Sequence, residues 1–294
     1  MSLLTRRSFF LAATATSAII PFEIWLAEYG YAQYYGNNPP PKKKTPPKGN
    51  TGPAPDPAPA PGNLRRPEAT TPAGKANLVK YAEAVRRMRA LPGSDPKSWT
   101  FQWYIHAVNS PQSEDDANEA QQRAKAAEIA RLYGNSQTPE RELAEATWGT
   151  CQTHFGGDGD NFLPWHRMQT FFFERIIRSV LQDPSFVLPY WNYTSGSKAL
   201  PVEFRQPNDQ RLASLYIRNR SANANGGRAI DAGQPSNRTL NNRFLSNRTY
   251  SNRGQVAGFC QQLDREHHGG VHVLVGDERN MGDIPTAAND PIFW

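Results

Sequence analysis

Residues 164–184 read PWHRMQTFFFERIIRSVLQDP, a stretch that predicts a long helix at the centre of the fold. Pro164 suits the first turn of a helix, where a missing backbone N–H removes no intrahelical bond. The apolar residues that follow lie on more than one face of the helix, which is typical of a buried element. His166 would then be the third residue of this helix, among aromatic neighbours.

The sequence on either side predicts further helices. Residues 77–91 carry apolar side chains at helical spacing and stop at Pro92-Gly93. Residues 116–133 are rich in Ala and Glu, and Thr138-Pro139 is typical of the start of another helix, to about Trp148. A last helix is expected from about residue 255 to 274. Since no stretch alternates as a strand would, we expect a mainly α domain.

Two segments lack a helical pattern. Residues 187–193, VLPYWNY, are predicted to form a short buried segment rich in aromatic residues. Residues 201–254 are dominated by Asn, Arg, Ser, Thr and Gly, and the pair Asn-Arg recurs. This composition predicts long surface loops, which would shape an entrance to the domain.

The N-terminal region predicts export. Arg6-Arg7 is followed by an apolar, small-residue run, so residues 1–32 resemble a twin-arginine signal peptide that ends before Gln33. The alternative is a retained N-terminal anchor; the run is too short for a stable membrane span. We therefore expect the twin-arginine machinery as a partner and a periplasmic or extracellular location.

A disordered linker rich in Pro, Lys and Ala is expected at residues 33–74, followed by one domain at residues 75–294. The formal net charge of +6 comes partly from Lys42-Lys43-Lys44, and no nucleic-acid motif accompanies it. Only two cysteines occur, Cys151 and Cys260, so the domain is no disulfide scaffold, although a single bridge between them stays open.

The six histidines indicate a metal site. His268 and His272 lie four apart on the last predicted helix, so both rings should leave one face and meet one ion, whereas His267 should point elsewhere. His106 and His166 lie among aromatic residues, where a single histidine is usually a hydrogen-bonded core residue. Together, and without Cys or carboxylate in matching positions, they indicate an all-imidazole site for copper or zinc.

Three motifs make a family resemblance specific. FLPWHRMQTFFFE resembles the first copper signature of the tyrosinase family, which includes catechol oxidases and molluscan haemocyanin units. LPYWNYT resembles the segment after that helix, and HHGGVHVLVGD with GDIPTAANDPIFW resembles the second copper signature. The resemblance implies a four-helix-bundle-type dicopper domain with long irregular loops, two copper ions and O2 as co-substrate.

The resemblance also implies ligands. His106, His154 and His166 would bind the first copper, and His268 and His272 the second. The family's sixth histidine follows the DPIFW stretch, so it and the last bundle helix are expected beyond Trp294.

The resemblance also suggests roles for residues near the implied ligands. Cys151 could form a thioether to His154, as a cysteine does in some family members, or stay a thiol. Asp264 or Glu266 could assist at the second site, and Phe293 could pack over the copper pair or simply belong to the core.

The implied function is oxidation of small phenols. Monophenol-hydroxylating members often have Asn after the first histidine of the second site, where this chain has Gly269, so we expect oxidation of o-diphenols to o-quinones in preference to hydroxylation. One alternative is a catalytically impaired copper- or O2-binding fragment. A zinc hydrolase is disfavoured because Gly269 replaces the Glu of an H-E-x-x-H motif. The physiological phenol and the oligomeric state do not follow from the sequence.

Overall fold

The computed structural model describes residues 64–110, 117–151, 159–194, 196–236, 239–253, 256–276 and 280–294. Within these ranges β pairing is confined to isolated bridges, so the prediction of a mainly α domain is confirmed. The longer helices are α1 (Pro72–Ala90), α2 (Trp99–His106), α3 (Ala117–Tyr133), α4 (Pro139–Thr147) and α5 (Phe162–Leu181). No helix in the described ranges is long and apolar enough to cross a membrane. The predicted signal peptide and most of the predicted linker lie outside them.

Shorter helical elements follow α5. They are α6 (Ala222–Gly226), then one continuous rod made of α7 (Phe259–Gln262), a π-helical segment (Leu263–His268) and α8 (Gly269–Val275), and finally α9 (Ile284–Ala287). Single 3-10 turns occur at Gly159–Asn161, Val202–Arg205, Ala213–Leu215, Arg243–Ser246 and Pro291–Phe293. This continuous helical segment therefore begins at Phe259, later than the sequence predicts. Its hydrogen-bond pattern changes from α-helical to π-helical at Leu263 and back to α-helical at Gly269.

Helices α1 and α5 pack against each other in the core. The predicted face of α1 is buried, and α5 contributes residues from two faces. Helix α5 begins at Phe162, two residues before the predicted start at Pro164. The first N–H groups of a helix have no intrahelical acceptor, so a proline in this turn is tolerated. His166 is consequently the fifth residue of α5.

The described part of the predicted linker belongs to the domain. Arg66 donates to the buried carboxylate of Glu174 on α5 at 2.9 Å, and the N–H of Ala69 donates to the carbonyl of Tyr190 at 2.8 Å. Ala69 is buried, and α1 already begins at Pro72. The predicted boundary at residue 74 is therefore too late, because these long-range pairings leave no mark on composition.

The two segments that lack a helical pattern contain both buried and exposed side chains, contrary to the uniform burial or exposure predicted for each. In residues 187–193 the first two side chains are buried, but Tyr190 is 48% exposed, so the expected burial holds only in part. Residues 201–254 are not simply surface loops, because their scattered apolar side chains complete the core. The buried apolar residues among the described ones are Phe204, Leu212, Leu215, Ala224, Ile230 and Phe244.

A fully buried ion pair joins this region to the residues near Trp294. Arg220 donates to the two carboxylate oxygens of Asp290 at 2.8 and 2.6 Å, and both side chains are 0% exposed. Arg220 also donates to the carbonyls of Phe204 and Leu215, at 2.7 and 2.8 Å. Asp290 in turn accepts the N–H of Ile292 at 3.1 Å. The turn that precedes Phe293 is thereby fixed to the core.

Candidate metal centre

Four of the predicted histidines meet in the structure. His106 lies at the end of α2, His166 in the second turn of α5, His268 at the end of the π-helical segment and His272 in α8. Ring centroids are 5.8 Å apart for His106 and His166, 5.8 Å for His166 and His268, and 4.4 Å for His268 and His272. His106 is fully buried and the other three rings are half-buried. His154 lies outside the described residues.

Backbone carbonyls orient three of these rings through Nδ1. His166 Nδ1 lies 2.7 Å from the carbonyl of Phe162, and His272 Nδ1 lies 2.6 Å from that of Met281. His268 Nδ1 lies 3.2 Å from the carbonyl of Asp264. A carbonyl can only accept, so each Nδ1 carries the hydrogen and each Nε2 presents a lone pair. This arrangement is the usual support for metal-binding imidazoles.

The Nε2 atoms of His268 and His272 lie 2.8 Å apart. With both Nδ1 atoms serving as donors, two lone pairs face each other, an arrangement that only a shared proton or a metal ion stabilises. The cluster around them consists of imidazoles, the ligands typical of copper and zinc sites. The donor set therefore fits copper, and the prediction that one face of the helix carries both rings agrees with the geometry.

Aromatic side chains enclose the centre. Phe162 packs on His166 and His268 with ring centroids 4.5 and 4.6 Å apart. Phe293 packs on His106 at 4.8 Å and on His272 at 5.8 Å, so it touches a ring from each predicted copper position. These contacts limit the access of water to the rings, and a role for Phe293 over the copper pair stays a prediction beside the alternative of a core residue.

The two acidic candidates have different surroundings. A carboxylate oxygen of Asp264 lies 3.3 Å from Nδ1 of His268, on the side of the ring away from His272. Glu266 is exposed and lines a separate cavity of about 1210 Å³ together with Gly269. Of the two candidates only Asp264 contacts the centre, because Glu266 lies two residues before His268 and leaves the helix on another side.

His267 points away from the centre, as its position in the sequence suggests. Its Nδ1 lies 2.8 Å from the carbonyl of Asn241, and its ring stacks on Tyr193 with centroids 5.3 Å apart. Burial lowers the pKa of His267, and the bond to Asn241 opposes this only in part. His267 is therefore a neutral core residue and a natural control for its neighbour His268.

The cysteines lie in separate environments and neither is part of a disulfide. Cys260 lies 3.3 Å from the hydroxyl of Tyr250, whereas Cys151 lies 3.7 Å from Nε2 of His166. The alternative of a bridge between Cys151 and Cys260 is therefore wrong. The thioether to His154 stays a prediction, since His154 is not among the described residues.

A cavity of about 260 Å³ adjoins the centre and is lined by His166, His268 and His272. Gln169, one turn after His166, is 5% exposed and lines this cavity, and its amide has no hydrogen-bond partner among the described residues. Gln169 is not among the site residues expected from the sequence. Its i+3 spacing from His166 is the signal that was available.

Comparisons with known proteins agree with this geometry. The family model "Common central domain of tyrosinase" matches residues 96–225 and 201–294. Tyrosinase HcTyr1 from Hahella sp. (strain CCB-MM4) is 30% identical over 253 residues, covering 74% of this chain and 47% of that protein. The latent, chloroplastic polyphenol oxidase of Prunus armeniaca is 25% identical over 267 residues, covering 79% of this chain and 39% of that protein.

A solved structure gives the same result for the fold. The structure of latent apple tyrosinase superposes with a TM-score of 0.52 at 25% identity, covering 80% of this chain and 50% of that one. The helical domain and its histidine cluster therefore define a protein with the fold of the tyrosinases and polyphenol oxidases. The chain belongs to the tyrosinase family, and it spans less than half the length of the two curated relatives above.

Proposed function

We propose that this protein uses two copper ions to oxidise o-diphenols to o-quinones with O2, which is reduced to water. The convergence of four imidazoles, three of them oriented by backbone carbonyls, carries this proposal. His106 and His166, with His154, would hold copper at the first position, and His268 and His272 at the second. Oxidation of one o-diphenol to its o-quinone releases two electrons and two protons, so two diphenols reduce one O2 to two water molecules.

Copper at these positions would supply O2 binding and electron transfer. The chain supplies geometry and surroundings. The carbonyls of Phe162 and Met281 hold Nδ1 of His166 and of His272, so that Nε2 of each ring is directed inward. Phe293 covers both positions from one side and excludes water there. The half-buried rings of His268 and His272 leave an approach for a small phenol.

Gly269 supports a preference for diphenols. It has no side chain to hold a water molecule beside His268, so a monophenol would lack a base at that point. Asp264, whose carboxylate oxygen is 3.3 Å from Nδ1 of His268, steadies that ring and does not reach past it to the Nε2 side. We infer that monophenols are hydroxylated more slowly than diphenols are oxidised.

A second candidate function is copper or O2 binding without turnover. Among the described residues only His268 and His272 serve the second position, and two imidazoles bind copper less firmly than three. Copper stoichiometry separates the two functions. An oxidase holds two coppers per chain and consumes O2 with catechol, whereas a binding protein holds copper and consumes no O2.

The test compares the wild type with His268→Gln and His267→Gln. We expect His268→Gln to lose one copper and catechol-dependent O2 consumption, because its Nε2 faces His272. His267→Gln should keep both, since its ring stacks on Tyr193 outside the centre. Wild-type protein that holds two coppers but leaves O2 untouched in the presence of catechol would refute the oxidase proposal.

Export by the twin-arginine route is part of the proposal. This route carries folded proteins, so copper would be acquired before export to the periplasm or beyond. Replacing Arg6-Arg7 by two lysines should leave the protein in the cytoplasm, as cell fractionation would show.

A further inference from the structure

We propose that a cavity beside the metal centre binds a carboxylate of the substrate, so that the preferred o-diphenols are those with an acidic side chain. This inference rests on the proposed function, because it names the substrate class of that site. The cavity has a volume of about 1210 Å³ and lies along residues 265–274, in the helical segment that carries His268 and His272. Arg243 and Arg265 line it and supply the groups that bind the acid.

The cavity begins one residue from each predicted ligand of the second copper. Gly269 and Val273 line the cavity, and each directly follows a histidine of that position. Of the described atoms outside the same turn of helix, only the carbonyl oxygen of Asp264 lies within 4 Å of a Cβ built on Gly269, at 3.4 Å. Val273 is 67% exposed. The helical segment is therefore open beside the two histidines, and a substituent on a phenol bound there can extend into the cavity.

Arginine side chains give the cavity a positive charge. Arg243 and Arg265 are exposed, and neither guanidinium group has an ion-pair partner among the residues that the structure describes. In the same part of the chain, Glu266 is the one carboxylate that lines the cavity. Asp231, which follows a lining residue in the sequence, is paired with Lys198 at 2.6 Å. Two unpaired arginines therefore outweigh one acid, and a guanidinium group binds a carboxylate through two parallel hydrogen bonds.

Hydrogen bonds hold two walls of the cavity in place. Nδ1 of His267 lies 2.8 Å from the carbonyl of Asn241, which fastens the loop that carries Arg243 to the helical segment. At another wall, the hydroxyl of Ser221 donates to the carbonyl of Leu274 at 2.7 Å. The cavity is therefore formed before a ligand binds, and binding loses less conformational entropy than it would in a flexible loop.

The rest of the lining suits a polar group of the substrate. Hydroxyl and amide side chains line the cavity between the arginines and α6, from Ser221, Asn223, Gln234, Ser236, Thr239 and Asn241. These groups can complete the hydrogen bonds of a carboxylate that the arginines hold. A substrate with an amine in this place would instead face two positive charges. Because the arginines are exposed, salt should weaken the attraction for an acid.

The first measurement is a calorimetric titration of the metal-free full chain with caffeate and with its methyl ester, in the absence of oxygen. We expect the acid to bind about five-fold more tightly than the ester at low salt, and the difference to disappear at about 1 M salt. Arg265→Gln and Arg243→Gln should each reduce this difference, and Glu266→Gln should increase it. Arg253→Gln is the matched control, because this exposed arginine does not line the cavity, and it should leave the difference unchanged.

The second measurement uses the copper-loaded chain and follows O2 consumption. Arg265→Gln should raise KM for caffeate about five-fold, with little change in kcat or in KM for the methyl ester. A merely structural effect of the substitution would change the kinetics of both substrates alike. If this variant fails to fold, Arg243→Gln provides the same comparison.

Equal affinity of the wild type for the acid and the ester would overturn the proposal. Tighter binding of dopamine, whose side chain carries an amine, would overturn it as well. The proposal and the proposed function fail separately. Selective binding of caffeate by a chain that consumes no O2 rejects only the oxidase, whereas O2 consumption with equal KM for acid and ester rejects only the preference for acids.

Discussion

The buried pair of Arg220 and Asp290 gives the sharpest prediction for stability. Both side chains are 0% exposed, and two hydrogen bonds of 2.8 and 2.6 Å join them. Asp290→Asn would leave the Arg220 charge in the core without its counter-charge. Removing one partner of such a pair costs about 3–5 kcal/mol of unfolding free energy. For a domain of this size that corresponds to a fall in Tm of roughly 6–20 °C.

Urea and thermal unfolding, followed by circular dichroism, would measure this effect. Asp209→Asn is the matched control, because Asp209 pairs with Arg211 at 3.3 Å on the surface and that arginine side chain is 75% exposed. Exposed pairs contribute about 0–1 kcal/mol, so this variant should unfold almost as the wild type does. A loss below about 1 kcal/mol for Asp290→Asn would refute the role given to the pair.

A double-mutant cycle isolates the interaction from its surroundings. Arg220→Met with Asp290→Leu removes both charges, and buried pairs replaced in this way often lose little stability. Here some loss should remain, because the carbonyls of Phe204 and Leu215 would lose the donor that Arg220 provides. The double variant should nevertheless be more stable than Asp290→Leu alone, and a loss equal to the sum of the losses in Arg220→Met and Asp290→Leu would contradict the argument.

Two further predictions concern the second copper position and acid stability. A Cβ on Gly276 would lie 2.6 Å from the carbonyl carbon of Met281, and the oxygen of this carbonyl orients His272. Gly276→Ala should therefore weaken copper binding about 10–100-fold, measured by competition with a chelator. Unchanged affinity would show that this carbonyl is dispensable. The hydrogen bond from Lys80 lowers the pKa of Asp183 to about 2, below an unfolded value of about 3.9. Because its pKa is lowered in the folded state, the Asp183 carboxylate stabilises the fold above about pH 4 and loses this effect as the pH falls toward 2. The stability difference between the wild type and Asp183→Asn should therefore shrink over this range in urea titrations, and a constant difference would contradict the assigned cause.

Local patterns predict the helices and the pairing of His268 with His272, whereas the grouping of His106 and His166 with them follows from the family resemblance. The face of α1, the cap at Thr138 and the central position of α5 depend on neighbours within a few turns, so periodicity and turn residues reveal them. The packing of residues 201–254 and of Arg66 depends on partners far along the chain. A polar composition conceals these contacts, which is why it predicts surface loops and a longer linker.

The π-helical segment shows most clearly what periodicity could not predict. In an α-helix the N–H of His268 would bond to the carbonyl of Asp264, four residues back. Here the N–H of Gly269 makes that bond, five residues on, and the same carbonyl also lies 3.2 Å from Nδ1 of His268. The wider turn therefore lets one carbonyl serve both the helix and the imidazole. Such π turns are often found at functional sites, and this one directs His268 to the metal centre while the adjacent His267 packs on Tyr193.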